Sequence, residues 1–124
     1  MIQNSITNGL SDISTIEITE TMLAKNVGSG NTAVLATPML INIIELLCNK
    51  IIKENLNDDK LTSVGTLINI NHISPTPKNM KITIKATIAS VDHNKVTFKI
   101  YGQDEKDTIC TGIHNRVIFG KRSI

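Results

Sequence analysis

A lone carboxylate in an apolar run and an imidazole further along the chain are the side chains here whose types could do chemistry. Glu45 is the only charged residue between Asn31 and Asn49, in a largely apolar run. An unpartnered buried carboxylate is costly, so Glu45 must face water, meet a partner or serve a task. His72 has the side chain whose ordinary pKa suits a base near neutral pH, and a nearby carboxylate would orient it and favour its protonated form. Glu45 is therefore expected to lie in a pocket within reach of His72 of one subunit or the other. Thr37, before Pro38, reads as a helix start whose side-chain oxygen can accept from free backbone amides. Eight residues of helix rise about 12 Å, so Thr37 and Glu45 should not touch directly. A substrate, a water or His72 would fill that gap, and the free amides of the helix start offer a site for an oxyanion.

Each of these residues also has a plainer reading. His72 suits a strand end bonded to backbone, and Glu45 suits a partly exposed position at a subunit seam. Gly65 either relieves crowding against the helix or allows close approach of a substrate. Arg116 is either an exposed strand residue or a fork for phosphate or carboxylate. His114 alternates onto the same strand face as Gly112 and Arg116 and reads as structural, while His93 sits in a polar hairpin turn and reads as solvated.

The elements that must position these groups are legible from pattern. The chain has 124 residues, expected to form one domain, 1–124. Residues 12–21 alternate β-branched and polar side chains, as a strand does. Residues 25–31, with Gly28 and Gly30, predict a loop or lid. Apolar residues from Met39 to Ile52 predict a helix over 37–55, enclosed at its start by other elements, with Leu40 and Ile44 available to line an acyl pocket. Strands are expected over 62–73, 81–92, 95–103 and 108–119, the last three forming an antiparallel meander. The result is an α+β domain whose antiparallel sheet wraps one long hydrophobic helix. Such a sheet leaves edges uncovered, and pairing of two copies edge to edge predicts a homodimer.

Composition narrows the partners. Lys and Arg number 13 against 11 Asp and Glu, the charges are scattered, and aromatics make up 2% of residues. Neither a basic stripe nor stacking side chains are present for nucleic acid. The first fifteen residues lack a basic n-region and a long apolar stretch, so neither signal peptide nor membrane span is indicated, and a cytoplasmic location is expected. Cys48 and Cys110 lie far apart without metal-ligand spacing and read as buried reduced thiols; no metal site is expected.

Five local patterns, in order, carry a family resemblance. They are Val34-Leu35-Ala36-Thr37 at the helix entry, Glu45 eight positions on, Ser63-Val64-Gly65-Thr66, His72 followed by Thr76-Pro77, and Gly112-Ile113-His114-Asn115-Arg116. Together they resemble the fluoroacetyl-CoA thioesterase-like family of hotdog-fold thioesterases. The resemblance implies a Thr37, Glu45 and His72 catalytic set acting on an acyl-CoA thioester, with Gly65 and Arg116 positioning substrate. Coenzyme A is then part of the substrate and no separate cofactor is expected; whether two dimers assemble into a dimer of dimers stays open. The fluoroacetate enzyme carries phenylalanines in a lid where this chain has Gly28 to Asn31, which predicts modest selectivity for a fluorinated acyl group. Pro75 also stands where alanine is usual.

Thioester hydrolysis needs an activated nucleophile, a base and oxyanion donors, all of which this residue set can supply. The expected activity is hydrolysis of a short or medium acyl-CoA. Two alternatives stay open: a non-catalytic acyl-CoA-binding protein, and a hotdog hydratase or dehydratase. The second is disfavoured because the helix lacks a histidine and the candidate histidine follows the helix.

Overall fold

A computed structural model describes residues 5–123. The end residues of the expected domain, 1–4 and 124, lie outside that range. The elements in order are β1 (Ser11–Glu17), a 3-10 turn (Glu20–Met22), α1 (Ala24–Val27), α2 (Thr37–Asn55), β2 (Leu61–His72), β3 (Lys81–Asp92), β4 (Lys95–Gln103), β5 (Thr108–Gly120) and a final 3-10 turn (Lys121–Ser123). Every strand pairing is antiparallel, in the order β1-β3-β4-β5-β2. The β3–β4–β5 meander is as expected, and β1 and β2 form the two edges. The first strand ends earlier than its pattern predicts, because the chain turns at Glu20–Met22. The expected loop begins as the short α1, which stops at Gly28 in the left-handed region (φ 94°), where glycine carries no steric penalty.

The packing follows periodicity. On β3, Ile82, Ile84, Ala86 and Ile88 are buried, and on β4 Val96, Phe98 and Ile100 are buried opposite them. The buried residues of α2 are Leu40, Ile43, Ile44, Leu47, Cys48, Ile51 and Ile52, an i, i+3, i+4 series that lays one stripe on the sheet. Each such aliphatic side chain contributes roughly 1.5–3 kcal/mol of burial free energy. The expected enclosure of the helix start is only partial: Leu40 is buried, Met39 and Ile41 are half-buried, and Thr37, Pro38 and Asn42 are exposed. Leu46 is 59% exposed, and the edge-strand residues Val64 and Leu67 are 46% and 43% exposed.

The start of α2 is held from two sides. Ala24 and Ala36 amides donate to the carbonyls of Val34 and Met22, and the Leu35 amide donates to Thr76. Thr76, fully buried, donates from its hydroxyl to Asp104 (3.0 Å), tying the loop after His72 to the β4–β5 turn. These clamps fix where Thr37 stands relative to His72.

Candidate active site

Thr37 and His72 meet. Their Oγ1 and Nδ1 atoms are 2.8 Å apart, although the residues are 35 positions apart in the chain. The capping role expected of Thr37 is not observed: Ala36 is the N-cap residue, no side chain caps the helix, and the threonine hydroxyl goes to the imidazole. His72 stands at the end of β2, and its Nε2 is buried without a hydrogen-bond partner among the described residues. Burial holds the His72 pKa below the ordinary histidine value, and the Ser74 backbone offsets part of that effect. The ring is therefore neutral near pH 7 and able to accept a proton.

A cavity of about 330 Å³ adjoins the pair, lined by Ala24, Ser29, Gly30, Ala36, Thr37 and His72 among others. Leu40 and Ile44, expected as pocket residues, line neither this cavity nor the one beside Glu45; both are fully buried against the sheet. At the lid, Glu20 accepts from Asn26 (2.9 Å) and Lys78 (3.1 Å), joining α1 to the loop after His72.

Glu45 lies elsewhere. Among the described residues it makes no hydrogen bond or ion pair, so its expected pairing with His72 is not made within one chain. It lines a second cavity, of about 290 Å³, with Asn42, Asn49, Ser63, Gly65 and Arg116. Gly65 is required there by crowding: a Cβ would stand 2.7 Å from Glu45 Oε2 and 2.9 Å from His114 Cε1. The crowding groups are a helix carboxylate and a histidine ring, which unites the two sequence readings of this glycine.

Arg116 is not an exposed strand residue; it is 6% exposed. Its Nε donates to Ser63 Oγ (3.0 Å), and Nη2 donates to the Ser63 carbonyl (3.2 Å) and Asn49 Oδ1 (3.4 Å). Nη1 lies 3.2 Å from His114 Nε2. Burial lowers the Arg116 pKa, while Cys48 and Glu45 nearby act the other way. His114 is fully buried, donates to the Leu67 carbonyl (2.8 Å) and stacks on Phe98. His93 is exposed beside Asp92, as expected. Cys48 and Cys110 are buried and unpaired, their thiols pushed up to about 12 and about 11 by burial. Among the described residues no group of three His, Cys, Asp or Glu side chains could hold a metal.

Sequence reasoning gave Ser63, Asn42 and Asn49 no role, although Ser63 opens the Ser63-Val64-Gly65-Thr66 pattern. The signal was present: Asn42, Glu45 and Asn49, at i, i+3 and i+7, form a polar stripe on an apolar helix, and Ser63 shares the strand face of Gly65.

The family model of the fluoroacetyl-CoA-specific thioesterases matches residues 18–122. Similar solved structures include a point mutant of the fluoroacetyl-CoA-specific thioesterase FlK in complex with fluoroacetate and CoA, with TM-score 0.87, 20% identity, and coverage of 94% of this chain and 97% of that one. A Thermus thermophilus hypothetical protein, described as a thioesterase superfamily member, has TM-score 0.88, 22% identity, and coverage of 98% and 89%. A hot-dog-like protein from Thermanaerovibrio acidaminovorans has TM-score 0.86, 17% identity, and coverage of 94% and 85%. No protein of curated function matches significantly. With five antiparallel strands around one long helix and a family match over most of its length, this chain belongs to the fluoroacetyl-CoA-specific thioesterase family, hotdog-fold thioester hydrolases.

Proposed function

We propose that this protein hydrolyses a short or medium acyl-CoA to the free acid and coenzyme A, using Thr37, Glu45 and His72, with Gly65 and Arg116 positioning the thioester. The observation that carries the reading is the Thr37–His72 contact beside an open cavity, in a chain of this family. Water adds to the thioester carbonyl carbon as His72 takes its proton, with the Thr37 hydroxyl holding the ring and the water. The C–S bond then breaks, and His72 returns the proton to the departing thiolate.

Glu45 joins this set across a homodimer seam. β2 is an edge strand with unpaired backbone groups, flanked by exposed Leu46, Val64 and Leu67. Antiparallel pairing of two β2 strands about a twofold axis between Ile68 and Asn69 sets Gly65 of one copy opposite His72 of the other. Glu45, beside Gly65, then lies near the partner's His72 ring and stabilises the imidazolium that forms. The single hotdog domain is thus complete as a catalyst only in pairs. Light scattering at micromolar concentration should report a dimer, and a stable monomer with full activity would remove the shared site. No described helix is long and apolar enough to cross a membrane, and the unpaired buried thiols suit a cytoplasmic location.

Hydrolysis of an acyl-CoA series, read as released thiol, tests the activity. Residues 28–31 present no aromatic side chain to close over a small acyl group, so fluoroacetyl-CoA and acetyl-CoA should differ only modestly. Each added methylene should contribute about 0.8 kcal/mol, close to fourfold in kcat/KM, until the cavity is full. Binding of CoA thioesters without release of thiol would make this a binding protein. A sharp preference for fluoroacetyl-CoA over every aliphatic thioester would assign selectivity to another segment.

A further inference from the structure

A guanidinium carries five N–H groups. In Arg116, Nε–H serves Ser63 Oγ, the two on Nη2 serve the Ser63 carbonyl and Asn49, and one on Nη1 faces His114, leaving a single Nη1 hydrogen without an acceptor among the described residues. Arg116 forms no ion pair among them either, yet it is buried and lines the cavity that holds Glu45 and Gly65. The neighbour of that free hydrogen is fixed in form. His114 Nδ1 faces only the Leu67 carbonyl, so it carries a proton. Its Nε2 faces Nη1, which can only donate, so Nε2 carries the lone pair.

We propose that His114 is a positioning residue whose Nε2 lone pair fixes Arg116 Nη1, so that the one uncommitted N–H of Arg116 points into the Glu45–Gly65 cavity and donates to the thioester oxygen. The inference rests on the reading of that cavity as part of the acyl-CoA site. Burial and the adjacent guanidinium lower the His114 pKa and keep the ring a hydrogen-bond acceptor, while the Leu67 bond and Glu45 oppose this. Stacking of the ring on Phe98, centroids 6.4 Å apart, holds its plane. A protonated His114 would set N–H against N–H and turn Nη1 away.

Two substitutions separate positioning from core filling. His114→Asn keeps a donor for the Leu67 carbonyl but is too short to reach Nη1. His114→Gln can present an oxygen there. His114→Asn should lower kcat/KM on the best acyl-CoA about tenfold or more, mostly through kcat, and His114→Gln should restore part of the loss. In an Arg116→Gln background His114→Asn should add less than about twofold, because the group it aims is gone. Equal losses in the two variants, or full additivity with Arg116→Gln, would reduce His114 to a structural residue.

A second readout needs no turnover. Nitrogen-15 spectra should show His114 as the neutral Nδ1–H tautomer near pH 7, with its titration displaced below the ordinary histidine value. The Arg116 Nε–H resonance should be sharp in the wild type, broadened in His114→Asn and recovered in His114→Gln. A His114 that titrates at or above the ordinary histidine value, or an Arg116 signal indifferent to the substitution, overturns the proposal. An enzyme inert towards every acyl-CoA but with these signals in place instead overturns the functional reading, and with it the thioester oxygen as the acceptor.

Discussion

Glu45→Gln is expected to lower kcat/KM on the best acyl-CoA by about a hundredfold to ten-thousandfold, the range associated with losing a group that supports proton transfer. The substitution removes charge and almost no volume, and among the described residues Glu45 has no hydrogen-bond or ion-pair partner whose loss would destabilise the fold. Thermal unfolding should therefore stay within a few degrees of the wild type, and light scattering should still report a dimer. Hydrolysis at near wild-type rate would remove Glu45 from the mechanism. A large loss of stability alongside the loss of rate would mean that the carboxylate holds the seam together.

His72→Asn should produce a loss of similar size together with a change in the pH profile, which a purely structural role would not give. In the wild type the base must be neutral. Burial lowers its folded-state pKa, so kcat/KM should be flat near pH 7 and fall as pH drops through a value below the ordinary 6.5 or so of histidine. The asparagine variant should lose that acid limb. An unchanged limb would assign the titration to another group, and a limb at or above the ordinary histidine value would mean that ion pairing with the partner's Glu45 outweighs burial in the assembled enzyme.

Much of the architecture is written locally. The alternation of Ile82, Ile84, Ala86 and Ile88 with polar residues needs no tertiary information to mark a strand with one buried face, and α2 occupies 37–55 as its pattern predicts. Pro38 after Thr37, and the polar breaks at 92–95 and 104–107, set boundaries through local chain stiffness and turn chemistry. The identities of Thr37, Glu45, His72, Gly65 and Arg116 as candidates came from ordered local patterns, and the family match spans them all.

What those residues touch was settled by the three-dimensional path. Thr37 read as a cap because capping is the nearest use for a hydroxyl before a proline; the clamps from Met22, Val34 and Thr76 instead bring it to His72. Glu45 and His72 read as a pair because their chemistries match. Yet Glu45 stands on the third turn of α2, beside Gly65 in the first half of β2, while His72 ends that strand: seven residues of strand span about 23 Å. Arg116 read as exposed or phosphate-binding because a lone arginine carries no sign of its partners, and Ser63, Asn49 and His114 come from three separate elements. Periodicity and turn chemistry act within a few residues, so sequence alone marked the elements and named the candidate residues. The pairing of those groups depends on contacts between positions tens of residues apart, and these exist only once the sheet has closed on the helix.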